Sequence, residues 1–168
     1  VTGAEISIVS YGNLRGELNP GKVPYYKIKD LLPYKTRICS FRMKGSEVKK
    51  MMKIIQSGRK KYYLVSGLKQ VLAKNKKEEY YLSNVKLFNG IKEFEIISER
   101  EYLITANDYL IKKGGNDFNK ILSWYKPRSL NCNYGPDLDI ANRYLRDQKV
   151  IDVRKFKDKN NPRIRFVG

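Results

Sequence analysis

Thr105-Ala106-Asn107-Asp108-Tyr109-Leu110-Ile111-Lys112-Lys113-Gly114-Gly115-Asn116-Asp117-Phe118 is the stretch on which the reading of this chain turns. An apolar strand over 102–106 runs into the polar pair Asn107 and Asp108, and the aromatic Tyr109 follows. Gly114 and Gly115 let the backbone take positive φ and come close to a ligand or to another chain segment. Asn116 or Asp117 suits the cap of a helix in which Phe118, Ile121, Leu122 and Tyr125 fall at i, i+3, i+4 and i+7, on one face. Pro127 ends that helix. A strand, an aromatic, a glycine turn and a helix start together make a rim for a small ligand. They also make an ordinary strand–turn–helix connection, and the local pattern alone favours the ordinary one.

Working outward, residues 5–9 read as a short buried strand. Ser10-Tyr11-Gly12-Asn13-Leu14-Arg15-Gly16 is a glycine-containing loop. Arg15 beside backbone N–H groups suits a phosphate or carboxylate, with a surface ion pair as the alternative. A turn at Asn19-Pro20-Gly21 leads to a helix over 24–32, with Ile28, Leu31 and Leu32 inward; Pro33 ends it and Tyr34 follows. Residues 37–44 alternate, sending Cys39, Phe41 and Met43 one way, as in a half-buried strand. Gly45-Ser46 supplies the turn and cap of a helix striped by Val48, Met51, Met52 and Ile55 and closed by Gly58. Those methionines read as core filler.

Strands over 62–65 and 68–73 flank Ser66-Gly67, and strands over 81–88 and 93–97 flank Asn89-Gly90, a hairpin signal. Residues 128–135 read as a polar loop. Asp137 caps a helix to about 147 with Leu138, Ala141 and Leu145 inward, and 150–153 and 163–167 read as closing strands. The order is neither strictly βαβ nor all-β, which makes the expected class α+β, with helices packed on mixed sheets.

Composition sets the outer limits. The 168 residues suffice for one domain with a real core, and 41% apolar residues is ordinary for a globular chain. The chain does not open on Met, and Val1-Thr2-Gly3 reads as a start in mid-pattern, so a fragment or processed product is expected. Thirty-five Lys and Arg against 17 Asp and Glu leave +18, which favours polyanions, although the charge is dispersed in the manner of a solvated surface. Histidine is absent, which excludes a Ser-His triad, a His general base and any His-ligated metal within the chain. Cys39 and Cys132 are too few for a disulfide framework or a zinc site; one bridge or two buried thiols both fit.

Several of these segments, in order, resemble the C-terminal domain of the 5'-nucleotidases and related UDP-sugar hydrolases. Ser10 to Arg15 stands where the family has Asn-x-Gly-x-Ile-Arg. Leu32-Pro33-Tyr34, Met43-Lys44-Gly45-Ser46, Ser66-Gly67-Leu68, Asn107-Asp108-Tyr109-Leu110 with Gly114-Gly115-Asn116-Asp117-Phe118, and Arg163-Ile164 are similar to its other motifs. The resemblance implies a nucleotide- or nucleoside-recognition domain in which Tyr34 and Tyr109 sandwich the base. It makes Arg15 the nucleotide contact, Asn116 or Asp117 the partner of the ribose hydroxyls, and Ser10 a shorter stand-in for the family's loop Asn. The family carries Asp where Asn116 stands and Gly where Lys35 stands, and its spacing from aromatic to glycine pair is one residue shorter.

The resemblance also implies that the chemistry lies elsewhere. A separate N-terminal metallophosphoesterase domain would hold divalent metals that activate the nucleophile. On this expectation the chain lacks that domain and the family's preceding helix, needs no cofactor of its own, and is not catalytic alone. An extracellular, periplasmic or surface location goes with the family. The rival expectation is a non-catalytic member of the fold that binds a polyanion or anionic surface.

Overall fold

The computed structural model describes residues 2–57, 63–112, 115–125, 127–152 and 162–167; for 115–117, 119 and 120 it describes the backbone only. Two sheets share one core. The first has five strands in the order β3-β1-β7-β2-β8: β1 (Ile6–Ser10), β2 (Ile38–Lys44), β3 (Tyr63–Ser66), β7 (Glu101–Asn107) and β8 (Arg128–Asn131). The second has four, in the order β6-β5-β4-β9: β4 (Leu68–Lys74), β5 (Tyr80–Phe88), β6 (Glu93–Phe94) and β9 (Ile164–Val167). The helices are α1 (Tyr25–Leu31), α2 (Gly45–Ile55), α3 (Asp108–Lys112), α4 (Gly115–Tyr125) and α5 (Asp137–Gln148). The α+β class holds.

Hydrophobic spacing explains where the elements sit. In β2, Cys39, Phe41 and Met43 are fully buried, as strict alternation requires. Ser40 is buried as well, because β2 lies between β7 and β8; its Oγ and the Tyr134 Oη are hydrogen-bonded at 3.0 Å. The stripe Val48, Met51, Met52 and Ile55 buries α2 against β2 of the first sheet and β5 of the second, with α4 alongside. Phe118, Ile121 and Leu122 bury α4, the helix expected after the glycine pair.

The structure corrects several expectations. α2 begins at Gly45, so Ser46 is not its cap; instead the Glu47 carboxylate reaches back to the Lys44 N–H at 2.6 Å. The 128–135 loop contains edge strand β8, paired to β2 at Ser40↔Asn131 and Arg42↔Arg128. Residues 150–152 form no strand; Val153, Gly58 and Tyr62 lie outside the described residues. The hairpin turns through the whole of Asn89–Lys92, with the Asn89 Oδ1 accepting from the Ile91 and Lys92 N–H groups, and β6 stops at Phe94. α5 packs beside α1, but Leu138, Ala141 and Leu145 stay only half-buried, and α5 has no fully buried residue. Cys39 and Cys132 are bridged.

One core position is frustrated. Gln70 is 1% exposed, between Leu68 and Leu72 on the inner face of β4, and among the described residues neither its Nε2 nor its Oε1 has a partner. An unpartnered buried amide costs roughly 1–3 kcal/mol. Gln70→Leu is therefore expected to raise the urea midpoint by an equivalent amount with an unchanged slope. A lower midpoint would mean that the amide is satisfied in solution.

Candidate functional site

β1 and β7 are parallel neighbours, with Ile6↔Ile104, Ser7↔Thr105 and Ile8↔Ala106 in register. Their carboxyl ends therefore open at the same edge of the sheet, the place where open sheets containing parallel strands offer a ligand crevice. Ser10 is the last residue of β1, and a single 3-10 turn, Tyr11–Asn13, leads to Arg15. Asn107 ends β7, and Tyr109 follows in α3. β2 is antiparallel to β7, with Ile38 opposite Asn107, so the 34–37 segment enters the sheet at this same end. Topology thus brings Ser10, Arg15, Tyr34 and Tyr109 to one end of the sheet from three separate stretches of chain.

Tyr34 is held from several sides. The Arg15 N–H donates to the Leu31 carbonyl at 2.9 Å, which ties the first loop to α1. The Arg15 Nη2 donates to the Tyr34 Oη at 2.7 Å, and the guanidinium carbon lies 5.6 Å from the ring centroid. Three residues on, the Arg37 N–H donates to the Asp108 Oδ1 at 3.1 Å, and the Asp108 N–H donates back to the Arg37 carbonyl at 2.8 Å. This reciprocal pair joins the Tyr34 segment to the residue immediately before Tyr109. Behind it, the Thr36 Oγ1 donates to the Asp137 Oδ2, and the Asp137 N–H donates to the Thr36 carbonyl at 2.9 Å. Burial pushes the Asp137 carboxyl above its ordinary pKa and Asp108 adds to that, while bonds from Thr36 and Leu138 pull the other way.

Neither tyrosine belongs to the core: Tyr34 is 44% exposed and Tyr109 is 49% exposed. Tyr109 stands on a single helical turn anchored by buried Leu110, whose N–H donates to the Asn107 Oδ1 at 2.8 Å. The pattern predicts a strand running through a glycine turn into a helix here and does not show α3; five residues are too few for a helical repeat to show. It also missed Asn13 and the role of Asn107. Both side chains are buried next to the site, and the Nδ2 of each has no partner among the described residues. Two buried amide donors, one ending β7 and one in the turn after β1, are a local polar demand, and buried donors without partners are uncommon enough to mark this edge. Asn116 and Asp117 open α4, but their side chains lie outside the described residues, as does Gly114.

The groups gathered here are two exposed rings, a guanidinium already resting on one of them, and a rim that carries Lys35 and Arg37. Among the described residues, no three His, Cys, Asp or Glu side chains cluster as a metal site would.

Comparison with known proteins places the fold. The model of the 5'-nucleotidase C-terminal domain matches residues 1–123. The solved NAD nucleotidase of Haemophilus influenzae is similar over 98% of this chain and 30% of its own, with a TM-score of 0.75 and 18% identity. A 5'-nucleotidase precursor from Thermus thermophilus is similar over 98% and 32%, with a TM-score of 0.77 and 19% identity. The sulfate thiohydrolase SoxB of Thermus thermophilus is similar over 98% and 29%, with a TM-score of 0.67 and 16% identity. The chain thus spans about a third of each of these proteins. No curated protein matches it by sequence. With the motifs in order, the family model matching most of the chain and the same fold in these solved structures, the chain belongs to the 5'-nucleotidase C-terminal domain family.

Proposed function

We propose that the chain is the nucleotide- or nucleoside-recognition domain of a 5'-nucleotidase-like phosphatase. Tyr34 and Tyr109 grip the base on its two faces, and Arg15 holds the phosphate-bearing side of the ligand. Asn116 or Asp117 accepts hydrogen bonds from the ribose hydroxyls, with Ser10 beside them. Hydrolysis belongs to a separate N-terminal domain that carries the divalent metals, so recognition here sets which ester reaches them. The observation that carries the proposal is that Tyr34 and Tyr109 stay exposed at one sheet end, their segments locked together through Arg37 and Asp108. Core packing would have hidden at least one of these rings.

Stacking a base on an aromatic is worth about 1–3 kcal/mol per ring and tolerates any base, since each has a π face. Titration with adenosine and with AMP, followed by calorimetry or tyrosine fluorescence, should give saturable binding. Tyr34→Ala and Tyr109→Ala should each weaken it roughly tenfold. Arg15→Ala should weaken AMP more than adenosine. No saturable signal at millimolar nucleoside would overturn the proposal. The +18 charge favours a second reading, a polyanion-binding module. That reading predicts binding to random DNA or heparin that collapses with salt and is unchanged in both tyrosine variants.

A further inference from the structure

A cleft of about 680 Å³ lies at the other end of the first sheet from Tyr34 and Tyr109. Ala4, Glu5 and Ser7 line it from the start of β1, whereas Ser10 ends that strand and Arg15 follows it. At about 3.3 Å per residue the two places are roughly 15 Å apart. Ser66-Gly67, where the chain passes from β3 in one sheet to β4 in the other, forms a second side. The β5–β6 hairpin forms a third.

The lining has the composition of a ligand pocket: mostly apolar, with a few placed polar groups. Leu87, Phe94 and Ile97 supply the apolar wall. Phe94, at the end of β6, is 48% exposed, and Ile97, beyond the strand, is 60% exposed. The charged groups are unequal. Arg100 is neutralised by Glu5 at 2.5 Å, and Glu95 is taken by Lys86 at 3.0 Å. Arg163 is half-buried and has no carboxylate within ion-pair reach among the described residues; its Nη1 donates only to the Ser66 Oγ, at 3.4 Å. Its backbone is fixed, since the Gln70 N–H donates to its carbonyl at 2.8 Å. The Ser66 hydroxyl, accepting from Arg163, keeps its own proton to donate.

We infer that this cleft is a second binding site, for a small amphipathic carboxylate. The carboxylate lies on the Arg163 guanidinium and takes the Ser66 hydroxyl proton as a hydrogen bond, and the ring or chain attached to it covers Leu87, Phe94 and Ile97. A half-buried arginine on a held backbone, with no carboxylate partner among the described residues, suits a planar two-oxygen anion, because its donors form a rigid fork. The apolar wall selects against small hydrophilic acids.

The test uses the full chain, 15N-labelled, with 4-phenylbutyrate and its uncharged analogue 4-phenylbutanamide as probes. Phenylbutyrate should shift the Ser66, Gly67, Asn89 and Gly90 amides saturably in the millimolar range or tighter, as its size allows. The amide should bind at least about tenfold more weakly, and Arg163→Gln should impose a loss of the same order on the acid. If Arg163→Gln loses its dispersed spectrum, Phe94→Ser serves instead and should weaken acid and amide alike. Tyr34→Ala should leave phenylbutyrate binding unchanged, and AMP should not displace it. The inference fails if acid and amide bind equally, if no amide shift saturates, if Arg163→Gln folds and binds normally, or if AMP competes.

Discussion

Reducing the Cys39–Cys132 bridge should cost the folded chain about 4–5 kcal/mol. The two cysteines are 93 residues apart, and closing so long a loop in the unfolded chain removes that much conformational entropy in the chain-entropy account. The bridge also fastens a weak edge to the centre of the first sheet. Cys39 is fully buried in β2, and Cys132 follows β8, whose pairing with β2 is interrupted between Ser40 and Arg42. Beyond Cys132, the Ile38 N–H donates to the Gly135 carbonyl at 3.1 Å and the Arg37 Nε donates to the Cys132 carbonyl at 3.3 Å. The segment that presents Tyr34 is therefore braced by the bridged strand. For a domain of this size the loss corresponds to a fall in Tm of about 10–20 °C. Thermal melts of the oxidised chain, of the chain under a phosphine reductant, and of a Cys39→Ala/Cys132→Ala double variant measure it. The double variant should match the reduced chain, and its adenosine affinity should fall through a less ordered Tyr34. A shift of only a few degrees would show that β8 is held by its ion pairs instead, those of Arg128 with Glu47 at 2.9 Å and with Glu101 at 2.6 Å.

Much of this architecture was legible from side-chain periodicity, and the parts that were not share a cause. α2 and α4 carry long apolar stripes, and β2 and β7 are central strands with apolar inner faces, so one-dimensional pattern and three-dimensional burial agree. β8 reads Arg-Ser-Leu-Asn and has no buried residue. Its strand state comes from backbone pairing with β2 and from the bridge two residues from Leu130, neither of which leaves an alternating pattern. The opposite error occurred at 150–152, where Val150 and Ile151 look like a strand but find no neighbour to pair with among the described residues. The start of α2 was misplaced because Ser46 is a better cap by type than Lys44. The N–H groups of Gly45 and Ser46 are instead taken by the Arg100 and Ser98 carbonyls, at 2.9 and 3.0 Å, a long-range arrangement that local preference does not contain.

The candidate site divides in the same way. The family resemblance singles out Ser10, Tyr34 and Tyr109, and residue type already points to Arg15. The groups that position them were silent in the sequence, because each acts through the backbone or across the chain. Arg37 meets Asp108 across 71 positions, and Thr36 meets Asp137 across 101. Asn13 reads as a loop polar and Asn107 as the end of a strand, and only burial reveals that the Nδ2 of each has no partner among the described residues.

Gly67→Ala should destabilise the chain by at least about 3 kcal/mol, and Gly67→Val should prevent folding. Gly67 has φ +81°, a region that costs any residue with a Cβ. A Cβ there would also stand inside the van der Waals radius of the Glu5 carbonyl oxygen, with the Ile6 Cα close behind. These are backbone atoms at the start of β1, which β3 and β7 hold from both sides, so they cannot swing away as a flexible side chain would. The position is where the chain crosses from the first sheet to the second, and the Phe88 N–H donates to the Gly67 carbonyl at 2.9 Å across that junction. Relief of the clash must therefore pry the sheets apart, opening the core around Leu68 and Leu87. Gly90→Ala is the control. Gly90 also has positive φ, +98°, but a Cβ there meets open space, so only the backbone cost of about 1–2 kcal/mol remains. Urea unfolding of both variants against the parent separates the two contributions. Equal losses would show that the sheets meet loosely at Gly67, and the cleft lined by Ser66 and Arg163 would then lack the rigid wall its ligand requires.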